Sequence, residues 1–251
     1  MDIARHITQL RLDGERLASV AATVRPETPV PTCPEWAVRD LVRHLGGVHR
    51  WATGYVRDAR LEAEDVELED LVGGWPDDGK LIDWFREGHA ALVRALEEAP
   101  DDLRCWTFLD APSPRAFWAR RQAHETGIHR VDAESATGTS TPFPGSFASD
   151  GIDELLFGFA GRPGRPLPLD SPATMRLEAV DASRSWRVNF MPTGFEISTD
   201  VPADAADCRV RAQASELYVL LWNRREPDGL DISGNVALLA MWRESMRVRW
   251  S

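Results

Sequence analysis

The chain has 251 residues, 43% hydrophobic and 27% charged, which is the make-up of a folded protein and not of a disordered one. Its formal net charge of -11 argues against nucleic acid and anionic lipid as partners, since both are gripped through Lys and Arg. Residues 1–20 carry charges every few positions and do not read as a signal peptide, and no stretch approaches the ~20 apolar residues of a membrane span.

Apolar residues Ile3, Ile7, Leu10, Leu17 and Val20 recur at helical spacing, so a first amphipathic helix is expected over roughly 2–24. A proline-punctuated connection, Pro26 to Pro34, ends in Thr32-Cys33-Pro34-Glu35-Trp36. The second helix is expected from about Glu35 to Arg57, with Val38, Leu41, Leu45 and Val48 on its inner face. An acidic stretch from Glu62 to Asp70 and Gly73-Gly74-Trp75-Pro76 read as solvated surface. The third helix is expected over Leu81 to Glu98 and the fourth over about Ala116 to Ala136, with an irregular segment between them. Thr137 to Ser146 cannot sustain a helix and reads as a linker. Beyond it, a short helix over Asp150 to Phe159 precedes strands at Thr174–Glu178, Ser185–Phe190, Gly194–Ser198 and Cys208–Ala212; Glu216–Asn223 and Asn235–Met246 read as helices. The expected fold is therefore α+β: a four-helix bundle over residues 1–146, then a smaller mixed α/β domain over 147–251.

All six histidines precede residue 130. Glu125 and His129 are four apart on the fourth helix, an advance of about 400°, so both leave one face a turn apart. His44 sits on the inward stripe of the second helix, between Leu41 and Val48. Two imidazoles and a carboxylate suit zinc, and three protein ligands leave one coordination position for water or substrate. Several readings stay open at this point. The stripe Trp118, Gln122, Glu125, His129 and Asp132 is polar enough to face solvent, whereas Phe117, His124, Ile128 and Val131 form the more obvious core face. His44 alone reads more readily as a satisfied core histidine than as a ligand. His49 competes with His44 as third ligand, while His124 is about 100° from Glu125 and faces elsewhere. Asp132 supports His129 through a hydrogen bond or pairs with Arg121 or Arg130, and Arg120, Arg121 and Arg130 either receive an anionic substrate or are solvated. Cys33 reads as a small buried residue or as a thiolate at the start of the second helix. Cys33, Cys105 and Cys208, three in number and widely spaced, make no disulfide framework, which fits a cytoplasmic location.

Val30-Pro-Thr-Cys-Pro-Glu-Trp-Ala-Val-Arg-Asp-Leu-Val-Arg-His44-Leu-Gly-Gly-Val-His resembles the start of the mycothiol-dependent maleylpyruvate isomerase family. Phe117-Trp-Ala-Arg-Arg-Gln-Ala-His-Glu125-Thr-Gly-Ile-His129-Arg-Val-Asp132 is similar to its fourth-helix signature. The likeness extends over nearly the whole chain, with Ala214 to Arg224 and Leu230 to Gly234 as the C-terminal segments that carry it. It implies a DinB-like, bacillithiol-transferase-like bundle, a divalent metal (usually zinc) on His44, Glu125 and His129, and a thiol-binding arginine best matched by Arg224, with Arg225 beside it. Asn223 stands where relatives carry glycine. The resemblance further implies a catalytic role for these residues, with mycothiol as thiol cosubstrate, a small electrophilic substrate, and isomerase or S-transferase activity through a metal-bound thiolate, in a monomer or homodimer. The competing expectation is a non-catalytic metal-binding or regulatory bundle; the His-x-x-x-Cys-x-x-Cys of a zinc anti-sigma module does not occur.

Overall fold

The computed structural model describes residues 1–162, 166–199 and 206–246. The chain divides into two compact units, Met1–Thr141 and Pro142–Ser251.

The first unit is built on four long helices, α1 (Ile3–Ala21), α2 (Val38–Asp58), α4 (Leu81–Glu98) and α5 (Pro114–Ser135), with a one-turn helix α3 (Leu68–Leu71) between α2 and α4. Helix α1 packs on α4 and α5, and α2 packs on the same two helices, which closes the bundle. Local chemistry sets the helix starts. The Asp2 side chain accepts from Arg5 N–H at 2.8 Å to cap α1, and Ser113 caps α5 at Ala116 N–H, with Pro114 in the first turn where its missing donor costs nothing. Helix α2 begins at Val38, three residues later than its pattern suggests. Trp36 N–H donates to Cys33 O, and an isolated bridge between Pro29 and Ala37 keeps the chain extended up to the cap. Cys33 therefore lies in the preceding loop and not at a helix N-terminus, half-buried and outside any disulfide among the described residues. Leu17, Leu41, Leu45, Leu81 and Phe85 form the core between the helices.

Helix α5 is buried on nearly every side from Phe117 to Glu134. Its polar residues are satisfied internally. Arg130, 1% exposed, donates to Asp13 (3.1 Å), Glu134 (2.7 Å) and the Thr141 carbonyl (2.6 Å), and Arg16 also reaches Glu134. Arg130 is thus a structural cation that ties α1, α5 and the chain leaving α5 together, which removes it as a receptor for substrate.

The second unit opens with α6 (Gly145–Asp153), which begins inside the segment read as linker because Pro144 sits at its cap, where no N–H is needed. A π-helical segment, Glu154–Ala160, continues it. A mixed five-stranded sheet follows, ordered β3-β2-β1-β4-β5, from β1 (Ala173–Ala179), β2 (Arg184–Met191), β3 (Gly194–Ser198), β4 (Cys208–Ala212) and β5 (Asp231–Gly234). Only β1 and β4 pair in parallel. Alternation places Met175, Leu177, Trp186, Val188, Phe190 and Val210 on the buried face, and α7 (Ala214–Leu221) and α8 (Ala237–Ser245) pack against β1. Strand β5 escapes sequence reading because Asp, Ser and Gly have little strand propensity; its pairing with β4 makes it a strand. The α+β architecture expected from the patterning is the one observed. No helix among the described residues is long and apolar enough to cross a membrane.

Candidate metal centre

Helices α2 and α5 carry His44, Glu125 and His129 to one place. One ligand atom from each lies within 4.8 Å of the others, and all three side chains are largely shielded from water. His129 Nε2 is 3.1 Å from Glu125 Oε1, and His44 Nε2 is 3.5 Å from the same oxygen. The other Glu125 oxygen, Oε2, accepts from Arg121 at 2.7 Å, so one carboxylate oxygen is anchored and the other is turned to the imidazoles. Arg121 is 1% exposed and is committed to this pair; the anion-receptor reading does not describe it. On the far edge of the His129 ring, Nδ1 lies 2.8 Å from Asp132 Oδ2, and the other oxygen of Asp132 accepts from Thr32 Oγ1 at 2.6 Å. A carboxylate on the remote ring nitrogen selects the tautomer that presents Nε2 to the centre.

The electrostatics follow from this crowding. Burial works against a charged His129, but the Asp132 and Glu125 carboxylates outweigh it and push the imidazole up to about 9. Burial likewise opposes ionisation of Glu125, yet His129, His44 and Arg121 hold it well below the usual carboxylate range. Burial lowers the His44 imidazole. Its Nε2 has no hydrogen-bond partner among the described residues. A buried imidazole nitrogen without a partner, facing a carboxylate oxygen and a second imidazole nitrogen, is the donor set that a divalent ion satisfies.

The remaining histidines lie elsewhere. His49 is fully buried, with Nε2 2.9 Å from Thr126 Oγ1, and packs on Phe85 and His89. His89 occupies a niche that exists because residue 14 is glycine: a Cβ there would stand 2.3 Å from the imidazole Cε1. His124 is buried edge-on to His6, ring centroids 5.8 Å apart. Arg224 belongs to the second unit, directly after α7, and donates to the Trp222 carbonyl at 3.0 Å. Neighbouring Arg225 is engaged with Glu216 at 2.8 Å. Asn223 adopts φ 60, the left-handed conformation that glycine tolerates most easily and asparagine next, and its side chain donates to the carbonyls of Arg243 and Met246. Two contributors to the site, Thr32 and Trp36, went unassigned in the sequence; the motif Thr32-Cys33-Pro34-Glu35-Trp36 holds both, but nothing in helical periodicity reaches a loop.

A four-helix bundle with two histidines and a glutamate converging inside it, joined to a mixed α/β unit, defines the class. Family comparison makes it specific. Residues 9–134 match the mycothiol maleylpyruvate isomerase N-terminal domain and residues 146–241 match the C-terminal domain of the same family. The chain belongs to the mycothiol maleylpyruvate isomerase family, a family of enzymes. Among solved structures, the mycothiol-dependent maleylpyruvate isomerase is similar in fold, with TM-score 0.64, 14% identity and 93% of each chain covered. A histidine-to-alanine mutant of that enzyme gives 0.65, with the same identity and coverage. Comparison with the curated proteins finds no match.

Proposed function

We propose that this chain is a metal-dependent enzyme that uses a low-molecular-weight thiol, mycothiol, to isomerise or conjugate a small electrophile, with His44, Glu125 and His129 holding a divalent ion, zinc by the chemistry of the donors. The observation that carries the reading is the convergence of these three side chains within 4.8 Å from two helices in a water-poor bundle interior. A zinc ion held by His44, Glu125 and His129 would supply a Lewis acid that lowers the pKa of a bound thiol. The chain's own residues do the rest. Asp132 fixes the His129 tautomer, Arg121 keeps Glu125 presenting a single oxygen, and the surrounding helices exclude bulk water. A thiolate adds to one carbon of an activated cis double bond, whose electron pair moves towards the activating carbonyl. Rotation about the resulting single bond and expulsion of the thiolate return the trans isomer. A permanent adduct is the transferase outcome of the same addition.

Metal analysis with thiol titration of the cobalt-substituted protein tests this. Near-stoichiometric metal, its loss in His129→Ala, and a change in the cobalt spectrum on adding thiol are expected. Because His129 keeps its proton up to about pH 9, metal uptake at neutral pH should also release a proton. Metal retained by His129→Ala, or a cobalt spectrum indifferent to thiol, would overturn the reading.

A further inference from the structure

The loop between α1 and α2 contributes more than a connection. Its Trp36 ring lies against both imidazoles of the candidate centre: centroids are 4.9 Å from His44, inclined at 47°, and 5.9 Å from His129, nearly parallel at 27°. The two imidazoles are themselves edge-on, 5.1 Å apart at 74°, so the three rings touch pairwise. The two histidines differ in how they are held. His129 is anchored at Nδ1 by Asp132 at 2.8 Å, whereas His44 Nε2 stands 3.5 Å from Glu125 Oε1 and makes no hydrogen bond among the described residues. The torsion that turns an imidazole about its Cβ–Cγ bond is broad and weakly restrained, so a ring whose Nε2 makes no short hydrogen bond is steered more by what packs on its faces. Trp36 is placed to do this. Its N–H donates to Cys33 O at 2.8 Å, its carbonyl accepts from Val30 N–H at 3.0 Å, and its ring packs at the margin of the core. The same loop grips α5 through Thr32 and Asp132.

We propose that Trp36 is a positioning residue of the metal centre: its indole braces the His44 ring against His129, holding two ligands from different helices in register, and so sets how tightly a divalent ion is bound. The inference rests on the metal-binding reading above. It concerns ring orientation, not bulk packing, and that distinction makes it testable.

Zinc affinity of the full chain is measured by competition with a chromophoric chelator for wild type, Trp36→Phe and Trp36→Met. Methionine fills space without a flat face, and phenylalanine keeps one. Trp36→Met should bind zinc about 10- to 100-fold more weakly, the range found when a group supporting a metal ligand is lost, with Trp36→Phe close to wild type. The visible absorption of bound cobalt should change in the methionine variant and be restored in the phenylalanine variant. A purely structural role predicts the reverse: lowered melting temperatures of the metal-free variants with unchanged zinc affinity and cobalt spectrum, which would overturn the proposal. Should Trp36→Met not fold, Trp36→Leu replaces it, and equal zinc affinity in the leucine and phenylalanine variants would be equally fatal. Wild-type protein that binds no zinc would remove the metal centre itself, and this inference with it.

Discussion

At the scale of single residues, protons and hydrogen bonds decide what the centre does. Asp132 is a buried carboxylate shared between His129 Nδ1 and Thr32 Oγ1. Asp132→Asn keeps the shape but weakens the acceptor, and it is expected to lower zinc affinity by about 10- to 100-fold in a chelator competition while leaving the helical circular dichroism intact. The other buried histidines act on stability. Burial lowers the His89 imidazole to about 4, so the folded protein keeps it neutral where the unfolded chain, near 6.5, is already protonated. Its contribution is complete above pH 6.5 and is lost as pH falls towards 4, about 3 kcal/mol over that window. Urea unfolding between pH 7 and 4 should show a shallower loss of stability in His89→Asn than in wild type. Some slope should remain, because burial holds His49 well below its ordinary value too.

At the scale of elements, α5 departs from the usual amphipathic rule. It has no solvent face over most of its length, yet it carries Arg121, Glu125, His129, Arg130, Asp132 and Glu134. Such a helix is stable only because each charge meets its opposite: Arg121 with Glu125, and Arg130 with Asp13 and Glu134. Removing one member leaves another charge stranded in a medium of low polarity. Arg130→Ala, which leaves the Asp13 carboxylate without a cation, is therefore expected to destabilise the protein by about 3–5 kcal/mol in equilibrium denaturation, far beyond the roughly 0–1 kcal/mol of an exposed pair. The two stripes weighed in the sequence, one polar and one apolar, both turned out to be inward. Periodicity reports the contrast between faces; it has no means of showing that a polar face meets other polar groups rather than water.

At the scale of the whole molecule, the proposed functional residues are divided between the two units. The three proposed metal ligands all lie in Met1–Thr141, whereas Arg224 lies in the second unit and is proposed for the thiol through family resemblance alone. If that assignment is right, Arg224→Met should raise the thiol KM with metal content unchanged; an unaltered KM would return the role to another residue. Much of the fold was already legible in the order of residues. The four long helices, the change of period after Thr137 and four of the five strands follow from side-chain repeats of about 3.6 and 2, because burial of one face imposes that repeat wherever an element packs. The Glu125–His129 pair was visible for the same reason, being a relation within one helix. What tertiary structure alone decided is every relation between segments: that His44 turns towards Glu125 while His49 turns towards Thr126, that Asp132 meets Thr32, and that the Trp36 ring closes over two imidazoles. Those relations depend on the rotation and height of one helix against another and on a loop with no period, and a one-dimensional pattern holds neither quantity.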